Sequence, residues 1–123
     1  MKSSRMKVTA LAAIAAPVML FASGAQAHAH LVKASPAENA AVAAPAALDL
    51  QFSEKLEAKF SGLTLMKADG ADVPVTSQVP AKDAKVIHAV PKGALAPGAY
   101  MVMWHVVSAD GHKMKGQYNF TVK

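Results

Sequence analysis

Ala99-Tyr100-Met101-Val102-Met103-Trp104-His105-Val106-Val107 is the longest run of this chain with the composition of a β-strand. Successive strand side chains point to opposite faces, so Tyr100, Val102, Trp104 and Val106 share one face and Met101, Met103, His105 and Val107 the other. Ala96-Pro97-Gly98, just before it, is a tight turn, because proline and glycine supply the φ values a turn needs. Beyond it a loop carries Asp110-Gly111-His112. Lys115 to Val122 then alternates Tyr118, Phe120 and Val122 against Gln117, Asn119 and Thr121, the period-two signature of a half-buried strand.

The same reading extends towards the N-terminus. Lys85 to Val90 is a strand ended by Pro91, and Val73-Pro74-Val75 with Val79 is a broken edge strand. Gly62 to Lys67 is a strand closed by the Asp69-Gly70 turn, and Leu48-Asp49-Leu50-Gln51-Phe52 alternates apolar and polar residues. Phe60 is expected in the core. Ala37 to Ala47 is alanine-rich, holds Pro45, and reads as a loop over one end. His28 to Val32 reads as a short first strand, with Ser35-Pro36 turning the chain. About seven short strands, frequent turn residues and no convincing helix give an all-β fold: a small Greek-key β-sandwich or barrel, immunoglobulin-like or cupredoxin-like. There is no internal repeat and no second domain.

The chain has 123 residues, and its first 27 read as a signal peptide. Met1 to Lys7 is basic, Val8 to Ala22 is almost wholly apolar, and Ala25-Gln26-Ala27 is a small-x-small cleavage pattern. Cleavage leaves a single domain, residues 28–123, starting at His28. Lys2, Arg5 and Lys7 leave with the leader, so ten of the 13 basic residues remain against 8 acidic ones, a net of +2. The remaining lysines are scattered, which excludes a nucleic-acid-binding face. The absence of cysteine excludes a disulfide framework, thiolate zinc sites and a blue-copper centre.

A mature chain beginning with His28 carries a free α-amine and an imidazole on one residue, a pair that can chelate one metal ion. Both groups must lose protons, with ordinary pKa values of about 7.7–8.0 and 6.5, so binding strengthens as pH rises through that range. Asp110 and His112 lie two residues apart, with Gly111 permitting a sharp turn between them. Three nitrogens and one oxygen suit Cu(II), which prefers tetragonal N,O coordination. Alone, each half is weak: Asp-Gly is a common turn dipeptide, and His28 could be a polar residue at a frayed end. Their co-occurrence carries the reading, since strand ends and loops meet at the poles of a sandwich.

The mature chain resembles the CopC family of periplasmic copper-resistance proteins. The matching segments are His28-Ala29-His30-Leu31-Val32 with Ser35-Pro36-Ala37, Leu50-Gln51-Phe52-Ser53-Glu54, and Leu95-Ala96-Pro97-Gly98-Ala99-Tyr100. The clearest is Trp104-His105-Val106-Val107-Ser108-Ala109-Asp110-Gly111-His112, with Gly116 after it. The resemblance implies one Cu(II) per chain, held by the amine and imidazole of His28 with Asp110 and His112. It also implies Glu54 as an outer carboxylate near the copper. A monomeric copper carrier or buffer is expected, without enzymatic activity, handing copper to a periplasmic or inner-membrane copper transport protein.

This sequence departs from the family pattern in two places. The region matching a methionine-rich Cu(I) loop, Lys67 to Val79, has no methionine. Met66, Met101, Met103 and Met114 remain, three of them on expected strands, where methionine usually fills cores, so a separate Cu(I) site is not expected. His105 stands where family members often carry arginine. His30 could complete a Xaa-Xaa-His copper terminus, but a paired first strand would occupy the amides this needs, so it is read as structural. His88, mid-strand, is read likewise. Two other function classes remain open at the sequence level. One is a copper oxygenase built on an N-terminal histidine; the other is a metal-free β-sandwich interaction module.

Overall fold

The structure, a computed structural model, describes residues 28–123; the leader read over residues 1–27 lies outside them. Among the described residues, nine strands form two sheets. They are β1 (Leu31–Ser35), β2 (Ala41–Val42), β3 (Leu48–Phe52), β4 (Gly62–Lys67), β5 (Asp72–Val73), β6 (Val75–Gln78), β7 (Val86–Pro91), β8 (Gly98–Val107) and β9 (Lys113–Val122). One sheet runs in the order β1-β3-β7-β6, the other β2-β9-β8-β4-β5. All pairings are antiparallel except β2 with β9.

The two inner faces make one core. Leu48, Leu50 and Phe52 of β3 and Ile87 and Ala89 of β7 face Leu63 and Leu65 of β4. Tyr100, Val102 and Val106 of β8 join Tyr118, Phe120 and Val122 of β9 from the same sheet. Buried ring hydroxyls need partners. Tyr100 donates to the Ala96 carbonyl at 2.6 Å, and Tyr118 to the Pro36 carbonyl at 2.9 Å. Burial, followed by the charge of Glu38, pushes the Tyr118 phenol up to about 12. Trp104 is half-buried and meets Phe52 edge to face, with ring centroids 5.1 Å apart. Its register partner on β9 is Gly116, where a side chain would collide with the indole.

Several expectations need correction. Nine strands replace about seven, for two reasons. Pro74 cannot donate to a ladder, so the expected edge strand divides: β5 pairs with β4 and β6 with β7 in the opposite sheet. The alanine-rich loop also contributes β2, which adds to β9. The first strand is Leu31–Ser35, three residues later than His28 to Val32. Ala29 is fully buried, but His30 is held by Ser53 instead of a strand ladder. Phe60 lies in a single 3₁₀ turn (Ala58–Phe60) and is 60% exposed, not in the core. Met66, Met101 and Met103 are half-exposed and lie outside the core; of the four methionines weighed, only Met114 packs against it.

Candidate metal centre

β8 and β9 pair over their full length, closing at Val107 opposite Lys113, so Ser108 to His112 form the loop between them. The Ser108 N–H donates to the His112 carbonyl at 2.9 Å, and the Gly111 N–H to the Ser108 carbonyl at 2.7 Å. Gly111 has φ +94°, a left-handed conformation that glycine adopts without a Cβ penalty. Ser108 has the same parity as the inward-facing Tyr100, Val102 and Val106, and it is 1% exposed. Its hydroxyl therefore sits beneath the loop, where it donates to Asp110 Oδ1.

Asp110 Oδ1 also lies 3.0 Å from His112 Nδ1. The Ser108 hydrogen bond, and after it the His112 imidazole, hold the Asp110 carboxyl down to about 2, well below the usual carboxylate range. The carboxylate is thus ionised at every physiological pH. With Nδ1 turned to Asp110, His112 keeps Nε2 for another partner. Both side chains remain about half exposed, at 47% and 48%.

His28 arrives from the other end of the chain. Its ring stands almost perpendicular to that of His112, with centroids 4.7 Å apart. Three features set that position. Ala29 is anchored in the core, the His30 N–H donates to Ser53 Oγ at 2.9 Å, and the Ser53 N–H donates to the His30 carbonyl at 2.9 Å. Two residues later, the Lys55 carbonyl accepts the Ala109 N–H at 2.8 Å. The segment Ser53–Lys55, with half-buried Glu54 at its centre, is therefore tied to the N-terminal segment at one end and to the Asp110 loop at the other.

The structure thus brings His28, Asp110 and His112 together and places the segment carrying Glu54 beside them. Among the described residues, no three His, Cys, Asp or Glu side chains form a ready-made metal cage. Asp110 Oδ1 is engaged by Ser108 and His112, and the remaining donor of the expected set is no side chain. In the full chain the His28 nitrogen is a peptide nitrogen, joined to Ala27. The His30 N–H is occupied by its hydrogen bond to Ser53 Oγ, which works against the flexible terminus that a Xaa-Xaa-His arrangement needs. His88 is satisfied elsewhere, 2.6 Å from Asp49 on the neighbouring strand, and His105 lies exposed on β8 opposite Gly62 and Lys115. Sequence reasoning missed Ser108 and Ser53. A serine at an inward strand position was the available signal for Ser108; Ser53 had none.

Residues 31–123 match the family model described as CopC domain. The chain belongs to the CopC family. It is 46% identical over 102 residues to protein YobA of Escherichia coli, covering 79% of this chain and 80% of that protein. It is 40% identical over 110 residues to Copper resistance protein C of Xanthomonas campestris pv. juglandis, covering 85% and 87%. The crystal structure of CopC from Methylosinus trichosporium OB3b aligns with a TM-score of 0.74 at 33% identity, covering 78% of this chain and 94% of that one. The chain is also 35% identical over 98 residues to Copper transport protein CutJ of Bacillus subtilis, covering 78% of this chain and 18% of that longer protein.

Proposed function

We propose that this CopC protein is a periplasmic Cu(II) carrier or buffer serving copper resistance or homeostasis. Residues 1–27 direct export, and cleavage leaves residues 28–123 as a monomeric copper-binding domain. One Cu(II) is held by the amine and imidazole of His28 with Asp110 and His112, and Glu54 is an outer carboxylate. The observation that carries this reading is the contact of the His28 and His112 rings, from opposite ends of the mature chain, beside an ionised Asp110. Two imidazoles, an amine and a carboxylate form the N,O donor set that Cu(II) favours.

Each residue has a separable task. Cleavage turns the His28 nitrogen into a donor, and Ala29 and Ser53 hold that residue towards the loop. Asp110 supplies negative charge without releasing a proton. The protons displaced by the metal therefore come from the amine and the imidazoles. The half-exposed His112 and Asp110 leave the ion accessible to a partner's ligands, as transfer requires. That partner is a copper transport protein of the periplasm or inner membrane. The joining of a similar domain to the rest of Copper transport protein CutJ supports this pairing. The role is binding and transfer, with no reaction catalysed.

The test has two parts. The exported protein is fractionated and its intact mass measured, with residues 28–123 expected. Cu(II) is then titrated against that protein and against Asp110→Ala and His112→Ala, followed by EPR. One tetragonal site at one equivalent, with nitrogen couplings reduced in His112→Ala, supports the proposal. Equal spectra and affinity in all three proteins overturn it.

A further inference from the structure

The outer face of the five-stranded sheet carries a feature that the fold does not need. One inner and one solvated face should make outward positions polar, and on β9 they are: Lys115, Gln117 and Asn119 alternate with buried residues. On β8 the outward positions include Met101, Met103 and His105. Met66 of β4 stands directly opposite Met101, and Thr64 opposite Met103. Three methionines thus occupy adjoining positions on one face, all half-exposed and none packed against the core.

Their spacing suits a common ligand. Directly paired residues have Cβ atoms about 4.5–5.5 Å apart, and diagonal neighbours about 7–8 Å. Met101 and Met103, two residues apart on one strand, are separated by about 6.6 Å of rise. Methionine is unbranched and flexible, so three thioethers at these spacings can converge above the sheet. Thioether sulfur is a soft donor that selects Cu(I) over the harder divalent ions. The flanking positions are polar: Asp72 faces Met66 from β5, and Asn119 faces Met101 from β9. An exposed carboxylate beside the trio favours a cation there.

We propose that Met66, Met101 and Met103 form a monovalent soft-metal site, taking Cu(I), on the outer face of β4 and β8. Methionines on strands are expected to fill the core, but the register puts these three on the outer face. The proposed site shares no residue with His28, Asp110 and His112, so either reading can fail without the other.

The test uses protein labelled with ¹³C at the methionine methyl groups, titrated anaerobically with Cu(I) and, in parallel, with Ag(I) as a redox-inert probe. The Met66, Met101 and Met103 methyl resonances are expected to move together and saturate at one equivalent. Met114, packed against the core, serves as the internal control and should stay in place. The variant Met66→Leu/Met101→Leu/Met103→Leu should lose Ag(I) affinity by roughly tenfold or more, since leucine keeps the bulk without the sulfur. Its Cu(II) EPR spectrum should match that of the parent, which also reports an intact fold. Methyl resonances of Met66, Met101 and Met103 that stay in place at one equivalent, or an Ag(I) affinity unchanged by the triple substitution, would overturn the site.

Discussion

Gly116→Ala should be among the most damaging single-methyl additions to this protein. A Cβ built at Gly116 falls 2.4 Å from Trp104 Cζ2, 2.8 Å from Cε2 and 3.1 Å from Cη2, all atoms of the indole six-membered ring. The ring has little room to retreat, because it already meets Phe52 at 5.1 Å and Phe52 is 1% exposed. Gly116 has no positive φ, so backbone strain adds nothing and the cost is steric. Overpacking of this kind costs about 1–3 kcal/mol. A rigid aromatic partner places this case near the top of the range, less roughly 0.4–1 kcal/mol gained because alanine restricts the unfolded chain. A net loss of about 2 kcal/mol lowers Tm by roughly 8–16 °C for a domain of this size. Urea unfolding should be followed by far-UV circular dichroism, because Trp104 is the only tryptophan and the companion variant removes it. That companion is Trp104→Phe, whose shorter ring does not reach the colliding atoms. In the double variant the two effects should be less than additive by about 1–2 kcal/mol. A Gly116→Ala loss below about 0.5 kcal/mol, or full additivity with Trp104→Phe, would refute the steric account.

Ser108→Ala removes the hydroxyl that does most to hold the Asp110 carboxyl at about 2. NMR titration should then show that carboxyl moving up towards the ordinary value of about 3.9. Its stabilising contribution in the parent is present above that ordinary value and lost as pH falls towards 2, so the variant should be less stable than the parent at neutral pH, with the gap closing as pH falls through that window. Tyr118 behaves in the opposite sense. Its phenol is pushed up to about 12, so the unfolded chain releases this proton first and stability should fall as pH rises from about 10 to 12. Absorbance titration at alkaline pH and urea unfolding across the same range check both points. Ser53→Ala frees the His30 N–H without touching any proposed ligand. If Ser53 positions the N-terminus, Cu(II) affinity should fall roughly 10-fold or more, as for other groups that orient metal ligands. Calorimetric or competitive titration of the metal measures this.

The strands were legible because one buried face imposes a period of two: β3, β8 and β9 lie close to where alternation puts them. Less legible was whatever depends on partners distant in sequence. Nothing near Pro74 says that the strands on its two sides join different sheets. The start of β1 moved because Ser53 holds His30, a contact across 23 residues. Phe60 and the three outward methionines were misassigned for a shared reason: hydrophobic character states a preference for burial, whereas face and register decide it. In the candidate site, His28, Asp110 and His112 came from motif and resemblance, and the fold supplied their meeting. Ser108 beneath Asp110 was visible only as a polar residue at an inward position.

The most direct test of the central claim compares protein beginning at His28 with protein carrying one additional residue before it. Both fold around the same core and keep every side chain, and they differ only in whether the His28 nitrogen is an amine or a peptide nitrogen. Cu(II) titration followed by EPR should give one tetragonal site at one equivalent in the first. In the extended form that site should be lost or greatly weakened. Equal affinity and identical spectra in the two proteins would contradict the terminal chelate and require a site made of side chains alone.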